Sequence, residues 1–280
     1  MRAAWPAIRN VAKAWALLLG VSAGLGAFGW WLSGYRVASV FVFCGLLLGV
    51  GAYWYADRVA MGMVGARELL PGEAPALHSL VERFALRAGV VKPRLYVISD
   101  GFPRALSAGR GATSSALAVS TGLLALPAPA EIEGVVAHEI AHIRHRDVLV
   151  QTTAVVVGAS LVELSRVGGW MSRMLLYVLG PVAASFVHLL LSPRREFEAD
   201  RLAADLCESP HGLADALIRL EHASKLVEFR ASPATEPLYT INPFMEKGLA
   251  GLFITHPPVA ERVRRLRDLD PHWREKLRAA

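Results

Sequence analysis

The run His138-Glu139-Ile140-Ala141-His142 holds the residues best placed by type and spacing to do chemistry. On a helix, positions four apart share a face, so His138 and His142 can present two imidazole nitrogens to one metal ion. Glu139 follows the first histidine, and its carboxylate can reach a water held by that metal. Zinc lowers the pKa of such a water to about 7, and a carboxylate alongside can take its proton as the water attacks a peptide carbonyl. The competing reading is a polar helix face with two unrelated histidines. Val135, Val136, Ile140 and Ile143 weaken it by giving the same helix an apolar surround. His145, inside Arg144-His145-Arg146-Asp147, reads as a solvated or headgroup-facing residue rather than a third ligand.

A catalytic zinc takes three protein ligands and keeps one position open. The best source of the third is Arg195-Glu196-Phe197-Glu198-Ala199-Asp200. Glu196 and Asp200 are one helical turn apart and share a face, so Glu196 can coordinate the metal while Asp200 orients a ligand histidine from behind. Glu198 points elsewhere. Alone, such an ExxxD pair is ordinarily a solvated face; its weight comes from the HExxH partner and from following directly on an apolar return segment.

The elements that must position these groups are mostly helical. Ala14 to Leu32 and Val37 to Tyr55 are stretches of 19 residues without a charge, each about 28 Å long as a helix, close to the thickness of a hydrocarbon core. Their link, Ser33-Gly34-Tyr35-Arg36, predicts an antiparallel hairpin, with aromatic residues clustered at the ends where interfaces favour them. A cleaved signal peptide is the competing reading; the first run is too long for it and a second follows at once. Beyond the hairpin, the spacing predicts helices over Glu73 to Ala88, with Gly89 as a cap, and from Glu131 through His142, the latter running on toward the third apolar stretch. Others follow over Arg194 to Cys207, Gly212 to Phe229 and Val259 to Leu269. Short strands are expected at Arg94 to Ser99, Arg104 to Ala108 and Ala116 to Ser120. The fold class is thus α+β, mostly helical, with a small sheet. Its organisation is a transmembrane hairpin over 1–60 and a globular unit over 61–280. The globular unit is interrupted by a second hydrophobic hairpin at about 148–164 and 174–191, which either spans the bilayer or packs on the catalytic unit and dips into it.

The net charge of +6 raises nucleic acid as a partner, but the basic residues lie beside apolar segments and along the last helix without an aromatic platform, so a lipid bilayer is the expected anionic partner and nucleic acid is not. Arg2, Arg9 and Lys13 precede the first span, Arg36 alone lies between, and Arg58 and Arg67 follow the second; the positive-inside rule puts the N-terminus and everything after Tyr55 in the cytoplasm. Cys44 and Cys207 are far apart without metal spacing and read as buried packing residues, which fits a reducing compartment. Nothing in the sequence specifies an oligomeric state.

The chain resembles the HtpX-like membrane zinc endopeptidases, whose zincin-type core is shared with the CAAX prenyl proteases. The matching pieces, in order, are Ala85-Leu86-Arg87-Ala88-Gly89, Ala118-Val119-Ser120-Thr121-Gly122-Leu123-Leu124, the His138 to His142 run, Arg195 to Asp200, Ile241-Asn242-Pro243 and Thr255-His256-Pro257-Pro258. The resemblance implies an integral membrane, zincin-like quality-control and stress-response protease of the bacterial inner membrane, multi-pass and facing the cytoplasm. It would hold one zinc ion and act on unfolded or membrane proteins. It makes Glu196 the third zinc ligand beside His138 and His142, with Glu139 as the base. It also makes the strand Leu117-Ala118-Val119-Ser120 a sheet edge that holds extended substrate, and places His256 at the cleft, as an oxyanion stabiliser or as part of a structural turn. Pro103-Arg104-Ala105-Leu106 departs from the expected Pro-Asn-Ala-Phe, which puts substrate contacts there in question and leaves the metal chemistry alone. Two other functions fit parts of the pattern: a CAAX-type processing protease, for which the chain is short, and a non-catalytic zinc-binding sensor or scaffold, for which Glu139 would be superfluous. Charges flanking the HExxH run (Glu131, Glu133, Arg144, Arg146) argue against a metal site inside a spanning helix and for one at the membrane surface.

Overall fold

A computed structural model describes residues 4–153, 193–226 and 256–270 of the chain. Helices α1 (Ala4–Ser33) and α2 (Tyr35–Met63) form the expected antiparallel hairpin, turned by Gly34 alone. Its φ of 77° is a left-handed conformation that glycine adopts without steric cost. The apolar windows Asn10–Ser33 and Tyr35–Tyr55 are long enough to cross a bilayer, and only 24% and 12% of them is buried within the chain. They are therefore not core helices of a soluble fold; Trp30, Trp31, Phe43, Leu47, Trp54 and Tyr55 all face outward. Cys44 is exposed on the same surface rather than packed inside. Cys207 is half-buried, its thiol pushed up to about 12 by burial and by the nearby Glu133 charge.

The hairpin is not a separate body. The last turn of α2 runs past residue 60, and Ala60 and Met61 pack against one face of the sheet through Tyr96, Ile98, Leu106, Ala108, Ala116 and Ala118. Asp57 on α2 pairs with Arg94 at the start of a strand, and Arg110 lies 4.4 Å over the Trp54 ring.

The sheet comprises β1 (Arg67–Glu68), β2 (Arg94–Ile98), β3 (Ala105–Gly111) and β4 (Ser114–Ser120) in the order β1-β2-β4-β3. β2 and β4 are parallel; the outer pairs are antiparallel. Side chains alternate along each strand. Leu95, Val97, Ala105, Leu117 and Val119 turn away from α2 toward the main core. There they meet α3 (Pro75–Ala88, closed by left-handed Gly89) and α5 (Pro129–His145), which follows the short α4 (Thr121–Leu124).

α5 is the central post of the fold, buried continuously from Gly134 to Ile143. Around it stand α3, β3, α6 (Arg194–Cys207) and α7 (His211–Leu226), with α8 (Val259–Asp268) closing over α6 and α7. Glu131, expected as a surface charge at the bilayer, is instead buried at the start of α5 and clamped by two bonds from Arg219 of α7. The helix does not run on: Arg146 adopts φ 61° and breaks it before a new helical stretch over 147–153. The second hydrophobic hairpin expected at 148–164 and 174–191 lies, from residue 154 on, outside the described residues, as do Ile241-Asn242-Pro243 and Thr255.

α5 and α7 cross so closely that a Cβ on Gly134 would stand 2.5 Å from the Leu213 backbone nitrogen, and one on Gly212 would stand 2.2 Å from the Ala130 carbonyl oxygen. Gly134→Ala should therefore force the helices apart and destabilise the fold by about 1–3 kcal/mol. Thermal unfolding of the metal-free protein in detergent measures this, and an unchanged midpoint would show that the crossing has slack.

Candidate metal centre

His138 and His142 lie on the same face of α5 and turn their Nε2 atoms to within 3.1 Å of each other. Glu196, in the first turn of α6, brings Oε2 to 3.5 Å from His138 Nε2 and Oε1 to 3.6 Å from His142 Nε2. Ligands about 2.0–2.1 Å from a tetrahedral zinc are about 3.3 Å apart. The three groups form the one cluster among the described residues suited to hold a metal ion. They are 0–3% exposed, and no hydrogen bond satisfies either Glu196 oxygen. A buried carboxylate with both oxygens unbonded is costly unless a cation sits before it. The residues fit a divalent metal.

A carboxylate stands beside the far nitrogen of each histidine. His138 Nδ1 lies 3.0 Å from Asp200 Oδ1, one turn along α6 from Glu196. His142 Nδ1 lies 3.2 Å from Asp147 Oδ2. Each carboxylate favours the tautomer with the proton on Nδ1, which leaves Nε2 as the donor to a metal. Asp147 owes its place to the break at Arg146: on a continuous helix a residue five positions on points well away from His142. The left-handed Arg146 costs about 1–2 kcal/mol, and its side chain packs against Gly111 at the tip of the β3–β4 hairpin.

Arg262 of α8 is wholly buried and holds Asp200 with two bonds, Nε to Oδ2 at 2.9 Å and Nη2 to Oδ1 at 2.6 Å; its Nη1 is 3.6 Å from Glu196 Oε2. Glu139 accepts a 2.7 Å bond from the Ser107 hydroxyl of β3. His256 is also buried, its Nε2 3.7 Å from Glu196 Oε1. Glu198 is turned out to Arg194. His145 is half-buried beside the site, with its Nδ1 enclosed and unbonded.

The buried carboxylates Glu139, Asp147, Glu196 and Asp200 face the buried guanidinium groups of Arg195 and Arg262, a deficit of two positive charges when the histidines are neutral. Without metal, a proton makes up part of the deficit. Burial disfavours the His142 imidazolium, but the Glu196 charge and the Asp147 bond outweigh it and raise His142 from 6.5 to about 10. Burial likewise opposes ionisation of Glu196, Asp200 and Asp147. His256 and His142 nevertheless hold Glu196 well below the usual carboxylate range, Arg262 holds Asp200 low, and His142 holds Asp147 low.

The strand Leu117 to Ser120 requires correction. It belongs to β4, paired on both sides by β2 and β3, so it offers no free edge. Its side chains are fully buried, and the Ser120 hydroxyl donates to Phe102 O while accepting from Arg104 N and Leu123 N. The terminal strand beside α5 is β3. Sequence reasoning also missed Asp147, Ser107 and Arg262. Arg262 left a signal: it stands on the stripe Val259, Val263 and Leu266 that turns α8 toward the core. Asp147 and Ser107 left none.

The peptidase family M48 model matches residues 71–270, spanning α5, α6 and α8. The chain belongs to family M48. It is 36% identical over 275 residues to a protease HtpX homolog of Pelotomaculum thermopropionicum, covering 92% of this chain and 98% of that one. The HtpX homologs of Acidiphilium cryptum, at 36% over 280 residues, and of Pyrococcus abyssi, at 35% over 271, cover 93% and 91% of this chain and 96% and 91% of their own. Among solved structures, S. mikatae Ste24p aligns with 91% of this chain at 20% identity and a TM-score of 0.48; this chain spans 62% of that longer one. This M48 protein is thus a metalloprotease, with a His-His-Glu group able to hold its metal.

In the metal-free chain the stability due to charged His142 is complete below about pH 6.5 and lost as pH rises toward 10, because the folded pKa is the higher one. The depressed carboxylates act in the opposite sense, their contribution fading as pH falls below the usual carboxylate range. Metal uptake at pH 7 must displace the His142 proton, so titration in weak buffer should release about one proton per ion, with affinity rising with pH. Uptake without proton release would show that His142 is already neutral.

Proposed function

We propose that this chain is a zinc-dependent endopeptidase that hydrolyses peptide bonds of unfolded or membrane proteins as part of protein quality control. The observation that carries the reading is the convergence of two histidine Nε2 atoms and an unsatisfied glutamate, each histidine backed by a carboxylate, with a further carboxylate alongside. The choice of zinc rests on the donor set, two nitrogens and one carboxylate with room for a fourth position. When bound by His138, His142 and Glu196, zinc would supply a Lewis acid that acidifies water and polarises a peptide carbonyl.

The chain's own residues do the rest. Glu139, held by Ser107, takes the proton from the attacking water and returns it to the leaving amide nitrogen. His256 places a donor where negative charge develops on the carbonyl oxygen, and Arg262 holds Asp200 behind His138. β3, the terminal strand beside α5, is the strand to which an extended substrate would add, a grip that tolerates many sequences.

The hairpin anchors the enzyme in the bacterial inner membrane, and the distribution of Arg and Lys supports a catalytic unit on the cytoplasmic side. A tag on Ala280 should then be reached by reagents only after the inner membrane is permeabilised; labelling from the periplasm in intact spheroplasts would reverse the topology.

Loaded with zinc in detergent, the protein should cleave casein. Glu139→Gln should lower turnover by at least about a thousandfold while zinc still binds, and Glu196→Ala should lose the metal itself. Full activity of Glu139→Gln would remove the base from the mechanism, and a folded, zinc-loaded wild type that cleaves nothing would favour a sensor.

A further inference from the structure

Asn10 of α1 is 6% exposed and lies against the metal centre's supports. Its side-chain Nδ2 donates both protons to the peptidase fold: one to the His145 carbonyl at 3.1 Å and one to Asp147 Oδ1 at 3.0 Å. The other oxygen of Asp147 takes the Nδ1 proton of His142. The His145 carbonyl is among those a helix end leaves without an intrahelical donor, here because α5 breaks at Arg146. A single amide from the first membrane helix thus secures both the break and the carboxylate that the break delivers. A polar side chain buried at the mouth of an apolar span is costly unless bonded, and these two acceptors are what Asn10 is bonded to.

We propose that Asn10 is a positioning residue of the metal centre, acting through Asp147 on the ligand His142, so that the first membrane helix is a working part of the active site as well as its anchor. The inference rests on the zinc endopeptidase reading. With Asn10 in place, Asp147 presents Oδ2 to His142 and keeps the imidazole aimed at the metal; without it, the carboxylate can rotate and His142 loses its backing. Linkage makes the coupling reciprocal: metal that requires an aligned His142 must also tighten the seat of α1.

The test is zinc affinity by chelator competition on the full-length protein in detergent, for wild type, Asn10→Ala, Asp147→Ala and the double variant. Asp147→Ala should weaken zinc about 10- to 100-fold, the usual cost of losing a ligand's partner, and Asn10→Ala by a smaller factor, about 3- to 10-fold. The double variant should bind no more weakly than Asp147→Ala alone. Asn10→Ala at wild-type affinity, or losses that multiply in the double variant, would overturn the proposal and leave Asn10 a docking contact only. A second measurement needs no variant: zinc should slow amide hydrogen exchange in the first turns of α1 in the wild type, and exchange unaltered by zinc would refute the coupling even if Asn10→Ala fails to fold. A wild type that takes up no zinc would remove the endopeptidase reading and this inference with it. A wild type that binds zinc while Asn10→Ala matches it would remove this inference alone.

Discussion

The structure is organised around the cost of keeping ionised groups dry. Glu139, Asp147, Glu196 and Asp200 all sit in the core with His138, His142, Arg195 and Arg262, and a buried charge survives there only if it is paired and hydrogen-bonded. These groups come from several elements of the chain, so the pairing of charges also fixes how the elements stand. α5 brings the two histidines and Glu139, α6 Glu196 and Asp200, α8 the guanidinium that holds Asp200, and α1 the amide that holds Asp147. The remaining need for positive charge is what a divalent ion supplies.

That constraint accounts for features that otherwise look like defects. The non-glycine residue Arg146 in a left-handed conformation ends α5 one turn beyond the ligand and swings Asp147 behind it. The backbone strain is small beside the penalty of leaving an imidazolium or a carboxylate without a partner in the interior. The close crossing at Gly134 and Gly212 keeps α7 tight on α5, where Arg219 neutralises Glu131 at the start of the same helix. Both ends of the helix that carries the ligands are therefore held by charge pairing, and its middle by apolar contact with α3 and the sheet.

The membrane hairpin enters the same network. α2 contributes its last turn to the sheet's second face, and Asp57 and Trp54 meet Arg94 and Arg110 at the strand ends. α1 reaches the metal centre itself. The boundary between anchor and catalytic unit, natural to draw near residue 60 from hydropathy, is crossed by side-chain bonds in both helices. A pattern of apolar residues reports which surface meets lipid and is silent about the few polar groups that face the protein.

What the sequence determined by itself is local and periodic. The hairpin followed from two uncharged runs and a glycine turn; α3, α5, α6 and α8 followed from helical spacing; His138, His142 and Glu139 followed from the i, i+4 geometry of one helix, and Glu196 with Asp200 from the same geometry in another. Tertiary structure alone decided that those two helix faces meet, that β4 lies inside the sheet and β3 at its edge, and that Ser107 bonds Glu139, Asp147 bonds His142, Arg262 bonds Asp200 and Asn10 bonds Asp147. The reason is physical. Helical periodicity is written in neighbouring residues. A hydrogen bond between residues 10 and 147 or 107 and 139 depends on how the chain packs, and strand order depends on which edges come together, and neither leaves a repeat in the sequence.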